Sequence, residues 1–120
     1  MSNKTLGQEL KDIRKAFGDK AIDLSKNIML TPCQLSRIEH DNLQIPCEAA
    51  DKFAEYYGLT ESQRILIKIK ANIEILSQIF EIPVNKVSDY FIDLLNLQEG
   101  DLTVEHISRK IRKPIKKWRI

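Results

Sequence analysis

The sequence predicts an all-α protein, and three observations carry that expectation. Apolar side chains recur every three or four residues along most of the chain, the period of one face of a helix. Helix start and stop signals separate the periodic stretches. The composition, 42% hydrophobic and 30% charged with 4 Gly and 4 Pro among 120 residues, is that of an ordered chain that can bury a core.

The first helix is expected from Leu6 to Phe17, with Leu6, Leu10, Ile13 and Phe17 on one face and Gly18 as its stop. Asp19 is placed to cap a second helix, which turns Ile22, Leu24, Ile28 and Leu30 inward. Thr31-Pro32 is the clearest start signal. A threonine at the N-cap accepts from a free backbone N–H, and proline at the first helical position loses nothing by lacking one. The third helix should reach about Asp41 and bury Leu35 and Ile38. Asn42 to Pro46 reads as a loop, and Cys47 to Tyr57 as a fourth helix with Ala50, Phe53, Ala54 and Tyr57 inside and Gly58 at its end.

After Gly58 the texture changes. Thr60 and Gln63 form a capping box that opens a helix expected to run unbroken to about Phe80. Its apolar residues, among them Ile65, Leu66, Ile67, Ile69, Ile73, Ile75, Leu76 and Ile79, spread over more than the roughly 100° stripe that a surface helix buries. A second covering surface is therefore required. Pro83 interrupts the run, Val84 to Leu97 gives another helix, residues 98–101 turn the chain, and Thr103 caps a last short helix through Ile107 and Ile111 towards Pro114.

Charge and cysteine content narrow the function. Residues 1–58 hold 8 Lys/Arg against 9 Asp/Glu, residues 59–100 hold 4 against 6, and residues 101–120 hold 7 against 2. The excess positive charge thus sits in the last twenty residues, and a polyanion partner would meet it there. Cys33 and Cys47 make no CxxC unit and are expected to be free thiols in a reducing compartment. No apolar stretch approaches the roughly 20 residues of a membrane span, and the first residues lack a signal-peptide core, so a cytoplasmic protein without a membrane partner is expected. The four glycines are isolated and form no phosphate-cradling loop, and no metal-ligand or nucleophile arrangement stands out. Enzyme chemistry, cofactor and metal are all expected to be absent.

Two short helices joined by a tight turn and enclosed by two more are the plan of a helix-turn-helix unit, whose second helix enters the major groove. From Leu6 to Leu59 the chain resembles the Cro/cI-type (XRE family) repressor domain: Leu10-x-x-Ile13-Arg14 in the first helix, Leu24-Ser25 in the second, Leu35-Ser36-Arg37-Ile38-Glu39 in the third, and Phe53-Ala54 with Gly58 closing the fourth. The resemblance implies a lambda-repressor-like helix-turn-helix DNA-binding domain in residues 1–59, followed by a helical dimerisation or interaction segment with a basic tail in residues 60–120. It implies that Pro32, Cys33, Ser36 and Arg37 face bases, that Gln34, Asn42, Gln44 and Lys52 lie near phosphates, and that Arg14 and Glu39 form a structural ion pair. Three positions depart from the family, one of them Pro46, which stands one residue later than usual. Ala21 stands where a phosphate-binding Gln is usual, and Met29 stands where Gly makes the turn, so a changed turn geometry is expected.

The function that follows is sequence-specific binding of double-stranded DNA by a homodimeric regulator, a repressor on a twofold-symmetric operator. The dimer contact is expected on Ile69, Ile73, Leu76, Ile79, Phe91 and Leu95, and backbone attraction from Arg112, Lys113, Lys116 and Lys117. The alternative is an antitoxin-like protein whose residues 60–120 hold a protein partner while the N-terminal half binds its own promoter.

Overall fold

Three Thr-x-x-Gln strings start three of the helices. In the computed structural model, which describes residues 4–97, Thr5 with Gln8, Thr31 with Gln34 and Thr60 with Gln63 each form a complete capping box. In each box the threonine hydroxyl accepts from the glutamine N–H, and the glutamine side-chain oxygen accepts from the threonine N–H. Sequence reasoning had identified only the box at Thr60, although the same string stands at the other two sites.

The described chain is all-helical. It consists of α1 (Leu6–Ala16), α2 (Ala21–Asn27), α3 (Pro32–Glu39), α4 (Cys47–Tyr57), α5 (Glu61–Ala71), α6 (Ile73–Phe80), a single 3-10 turn (Val84–Lys86) and α7 (Val87–Leu94). No helix among the described residues is long and apolar enough to cross a membrane. Helices α1 to α4 enclose one core built on Leu10, Ile13, Leu24, Ile28, Leu35, Ile38, Phe53 and Tyr57. Phe17 and Phe53 pack their rings on Tyr57 at centroid distances of 4.7 and 4.9 Å.

Helix α5 serves two cores at once. Leu66 and Ile67 complete the first, while Ile69 joins Val87 and Phe91 in a second, with Ile65, Ile73, Leu76, Ile82 and Leu97 packed around them. This double duty accounts for the wide apolar girth of the segment, and much of the second covering surface the sequence demanded comes from α7 of the same chain. Polar contacts fix α5 in place. Lys70 pairs with Glu9 of α1 at 3.0 Å, and Asp51 of α4 receives Arg64 at 2.7 Å and Lys68 at 2.9 Å. Hydrogen bonds from Lys68 and Arg64 hold the Asp51 carboxyl below its usual range.

Several expectations are corrected. The helix from Thr60 does not run unbroken to Phe80: it stops at Ala71, and Asn72 (φ −122°, ψ 26°) separates α5 from α6. The Asn72 side chain explains the break, because its amide donates to the Lys68 carbonyl at 2.8 Å while its oxygen accepts from Gln44 at 2.7 Å. Short polar side chains that bond to the backbone compete in this way with helix propagation. Asp19 does not cap α2. Lys20 holds that position without a side-chain bond, and the Asp19 carboxylate is engaged by the Tyr57 hydroxyl instead. Ile22 does not turn inward but is 50% exposed, while Leu24 and Ile28 are fully buried. The third helix ends at Glu39 rather than Asp41, and the segment expected as one helix over 84–97 begins with the 3-10 turn. The last helix expected from Thr103 lies outside the described residues.

Candidate nucleic-acid interface

Helix α3 is amphipathic in a strict sense. Leu35, Ile38 and Glu39 are buried, and Pro32, Cys33, Ser36 and Arg37 are all exposed on the other side. The α2–α3 turn sets how this exposed face is presented. Met29 in the turn has φ 64°, the left-handed geometry that glycine adopts without strain, here taken up by a residue with a side chain. For an L-residue that conformation costs roughly 1–2 kcal/mol. It persists because Leu24, Ile28, Leu35 and Ile38 on either side are locked in the core, and the Leu30 N–H closes the turn on the Ser25 carbonyl at 2.9 Å. Ser25 is itself fully buried, its hydroxyl donating to the Ile22 carbonyl at 2.9 Å.

One guanidinium fixes the other end of α3. Arg14 donates to both carboxylate oxygens of Glu39, from Nε at 2.8 Å and from Nη2 at 3.0 Å, and its Nη1 donates to the Asp19 carbonyl at 3.0 Å. The two side chains are 11% and 4% exposed. The hydrogen bond to Glu39 raises the Arg14 pKa above its ordinary value, which keeps the charge in place. Asp19 extends the chain of contacts to α4, since the Tyr57 hydroxyl donates to its carboxylate at 2.8 Å. Burial, aided by that bond to Asp19, pushes the Tyr57 phenol well above its usual range, so it acts as a neutral donor.

A second clasp holds the C-terminal end of α3 against the start of α1. Asp41 has φ 63°, and its carboxylate accepts from the Gly7 N–H at 3.1 Å and from the Thr5 hydroxyl. A negative charge is favourable there, at the positive end of the helix dipole. Gly7 is required by contact: a Cβ built on it would lie 2.4 Å from the Ile38 carbonyl oxygen and 2.9 Å from that of Glu39.

The remaining site residues fall into three groups. Arg37 is exposed, with one long contact of 3.5 Å to the Asn42 carbonyl, and Asn42 follows it on the exposed side of the loop. Gln34 is also exposed, but its oxygen closes the capping box on Thr31, which leaves the amide nitrogen as its outward group. Gln44 spends its amide on Asn72, and Lys52 is half-buried on α4. Arg112, Lys113, Lys116 and Lys117 lie outside the described residues.

The six residues expected at a dimer contact do not share one free face. Ile69 and Phe91 are buried in the second core, Ile73 and Leu76 pack against it, and only Ile79 (65%) and Leu95 (49%) stand exposed. Periodicity identified these side chains as apolar and helical but could not say which helix of the same chain would cover them. Sequence reasoning also missed Gly7, Asp41, the Asp19–Tyr57 bond and Asn72. A glycine inside the first helix, followed far along the chain by an Asp just past the third, was the one available signal.

No family model, no curated protein and no solved structure matches the chain.

Proposed function

We propose that this protein is a DNA-binding transcriptional regulator of the Cro/cI type, a repressor acting as a homodimer on a twofold-symmetric operator. The observation that carries the reading is the exposed face of α3, set at its start by the α2–α3 turn and held at its C-terminal end by polar clasps to α1. The Arg14–Glu39 pair is bidentate, and a buried pair of that kind orients elements more than it stabilises them. On the face it orients, Pro32, Cys33 and Ser36 are small enough for close approach to base edges, and Arg37 carries a guanidinium fork that matches the two acceptors of guanine. Asn42 and the Gln34 amide flank that face as neutral donors suited to phosphate oxygens.

Selection of bound sequences from a random duplex pool tests the reading, and a consensus with twofold symmetry is expected. Arg37→Ala should then weaken binding to that consensus by about 1 to 3 kcal/mol and relax the preference at one symmetric position. Equal losses on consensus and random DNA, read by titration at fixed salt, would make Arg37 a phosphate contact and remove it from base reading.

A further inference from the structure

The described residues leave an apolar surface uncovered on α6 and α7. Of the nine large apolar side chains that are exposed there, seven lie between Ile75 and Leu95. Ile75 with Ile79 on α6, and Tyr90 with Leu94 on α7, are spaced to share a helical side. Phe80 and Tyr90 stand edge-on to Phe91 at 5.2 and 5.1 Å, so the exposed residues of the two helices meet across that ring. A contiguous apolar surface of this kind marks a contact.

Charge identifies what covers it. Residues 73–97 carry Glu74, Glu81, Asp89 and Asp93, all exposed, against the single base Lys86. Two such faces brought directly together would oppose their own acidic rims, which costs association. The chain itself holds the complement. Residues 102–118 place Leu102, Ile107, Ile111, Ile115 and Trp118 among the basic residues of a segment with 7 Lys/Arg against 2 Asp/Glu over 101–120. The described residues end at Leu97, which packs in the second core beside this face.

We infer that residues 102–118 of a second copy lie across the α6–α7 face of the first, and the reverse, so that the homodimer is held by exchanged C-terminal segments. The inference rests on the homodimer proposed above, and that dimer decides between exchange and folding back. A segment laid on its own chain would use up the apolar surface that the described residues offer a second copy, whereas exchange uses the same surface and satisfies both demands.

Two full-length variants test this in the absence of DNA. One alters the face, Ile79→Asp with Leu94→Asp, at side chains 65% and 58% exposed and so outside both cores. The other alters the segment, Ile107→Asp with Ile111→Asp. Circular dichroism checks that each folds, and Ile79→Ser with Leu94→Ser replaces the first variant should it not. By sedimentation and native mass spectrometry, each variant alone should be monomeric, its dimer dissociation constant raised about 100-fold or more. Mixed in equal amounts they should form a heterodimer, in which the intact segment of one lies on the intact face of the other. A segment variant that dimerises as the unaltered protein does would overturn the exchange, whether the faces then meet directly or the segment serves only DNA phosphates. A mixture that stays monomeric would overturn it in favour of a segment folded on its own chain. The DNA reading fails separately: an exchanged dimer that selects no duplex sequence removes the regulator and leaves the exchange, and a monomer that selects a half-site does the opposite.

Discussion

Glu39→Ala lowers the stability of the protein by about 3 to 5 kcal/mol, because the substitution strands a buried guanidinium. With Glu39 gone, Arg14 at 11% exposure keeps only the Asp19 carbonyl as its bonded partner, and the charge is poorly solvated. Urea denaturation monitored by helix content measures the loss as a drop in midpoint at unchanged slope. The companion experiment separates orientation from stability. Replacing both partners by apolar residues, Arg14→Met with Glu39→Leu, should recover most of the lost stability, since well-packed apolar side chains replace buried ion pairs at little cost. The DNA affinity proposed above should not recover with it, because the Asp41 clasp alone then fixes the end of α3 against α1. A single-site loss below about 1 kcal/mol would mean that solvent screens the pair and that it does not orient the helix.

Gly7→Ala is the second large effect, and its sign is opposite to what helix propensity predicts. Alanine is favoured over glycine inside a helix by about 1 kcal/mol. At this position the new methyl meets the Ile38 carbonyl oxygen at 2.4 Å, the Asp41 carboxylate at 2.7 Å and the Glu39 carbonyl oxygen at 2.9 Å. Two of the three are backbone atoms, so relief requires that α1 and the end of α3 move apart. Overpacking of this kind costs about 1 to 3 kcal/mol, and thermal denaturation should show a lower midpoint than that of the unaltered protein. A raised midpoint would mean that the two helices separate freely.

The N-terminal half was legible in the sequence to the extent that local signals determine it. Thr31-Pro32 started α3, Gly18 and Gly58 took the left-handed conformations that end helices, and the core positions of α3 and α4 followed from their spacing. What was not legible depends on partners distant in sequence. Asp19 looked like a helix cap because capping is a local property, and only the fold brings Tyr57 to its carboxylate. Asn72 read as one polar residue in an apolar run, and only the arrival of Gln44 beside it makes the break intelligible. The left-handed turn at Met29 is the same lesson in reverse. Local propensity argued against a left-handed methionine, and the packing of Leu24, Ile28 and Leu35 overrides it.

The sharing of α5 between two cores bears on how such a chain could be taken apart and recombined. The sequence invites a cut after Gly58, where the texture changes and a loop separates two helical runs. A fragment ending there would lose Leu66 and Ile67, both almost fully buried in the first core, and would uncover the sides of α1 and α4 that α5 packs against. It would also lose the Lys70 contact to Glu9. A piece that carries all the buried residues of that core therefore runs through Ala71, with Ile92 of α7 a further side chain packed on it, and a chimera that grafts this head onto a foreign body must bring α5 with it. The outer side of that helix, Ile65 and Ile69, then dictates what the new body has to offer. Heredity by module, in this chain, has its seam inside a helix partner and not at the glycine that marks the visible joint.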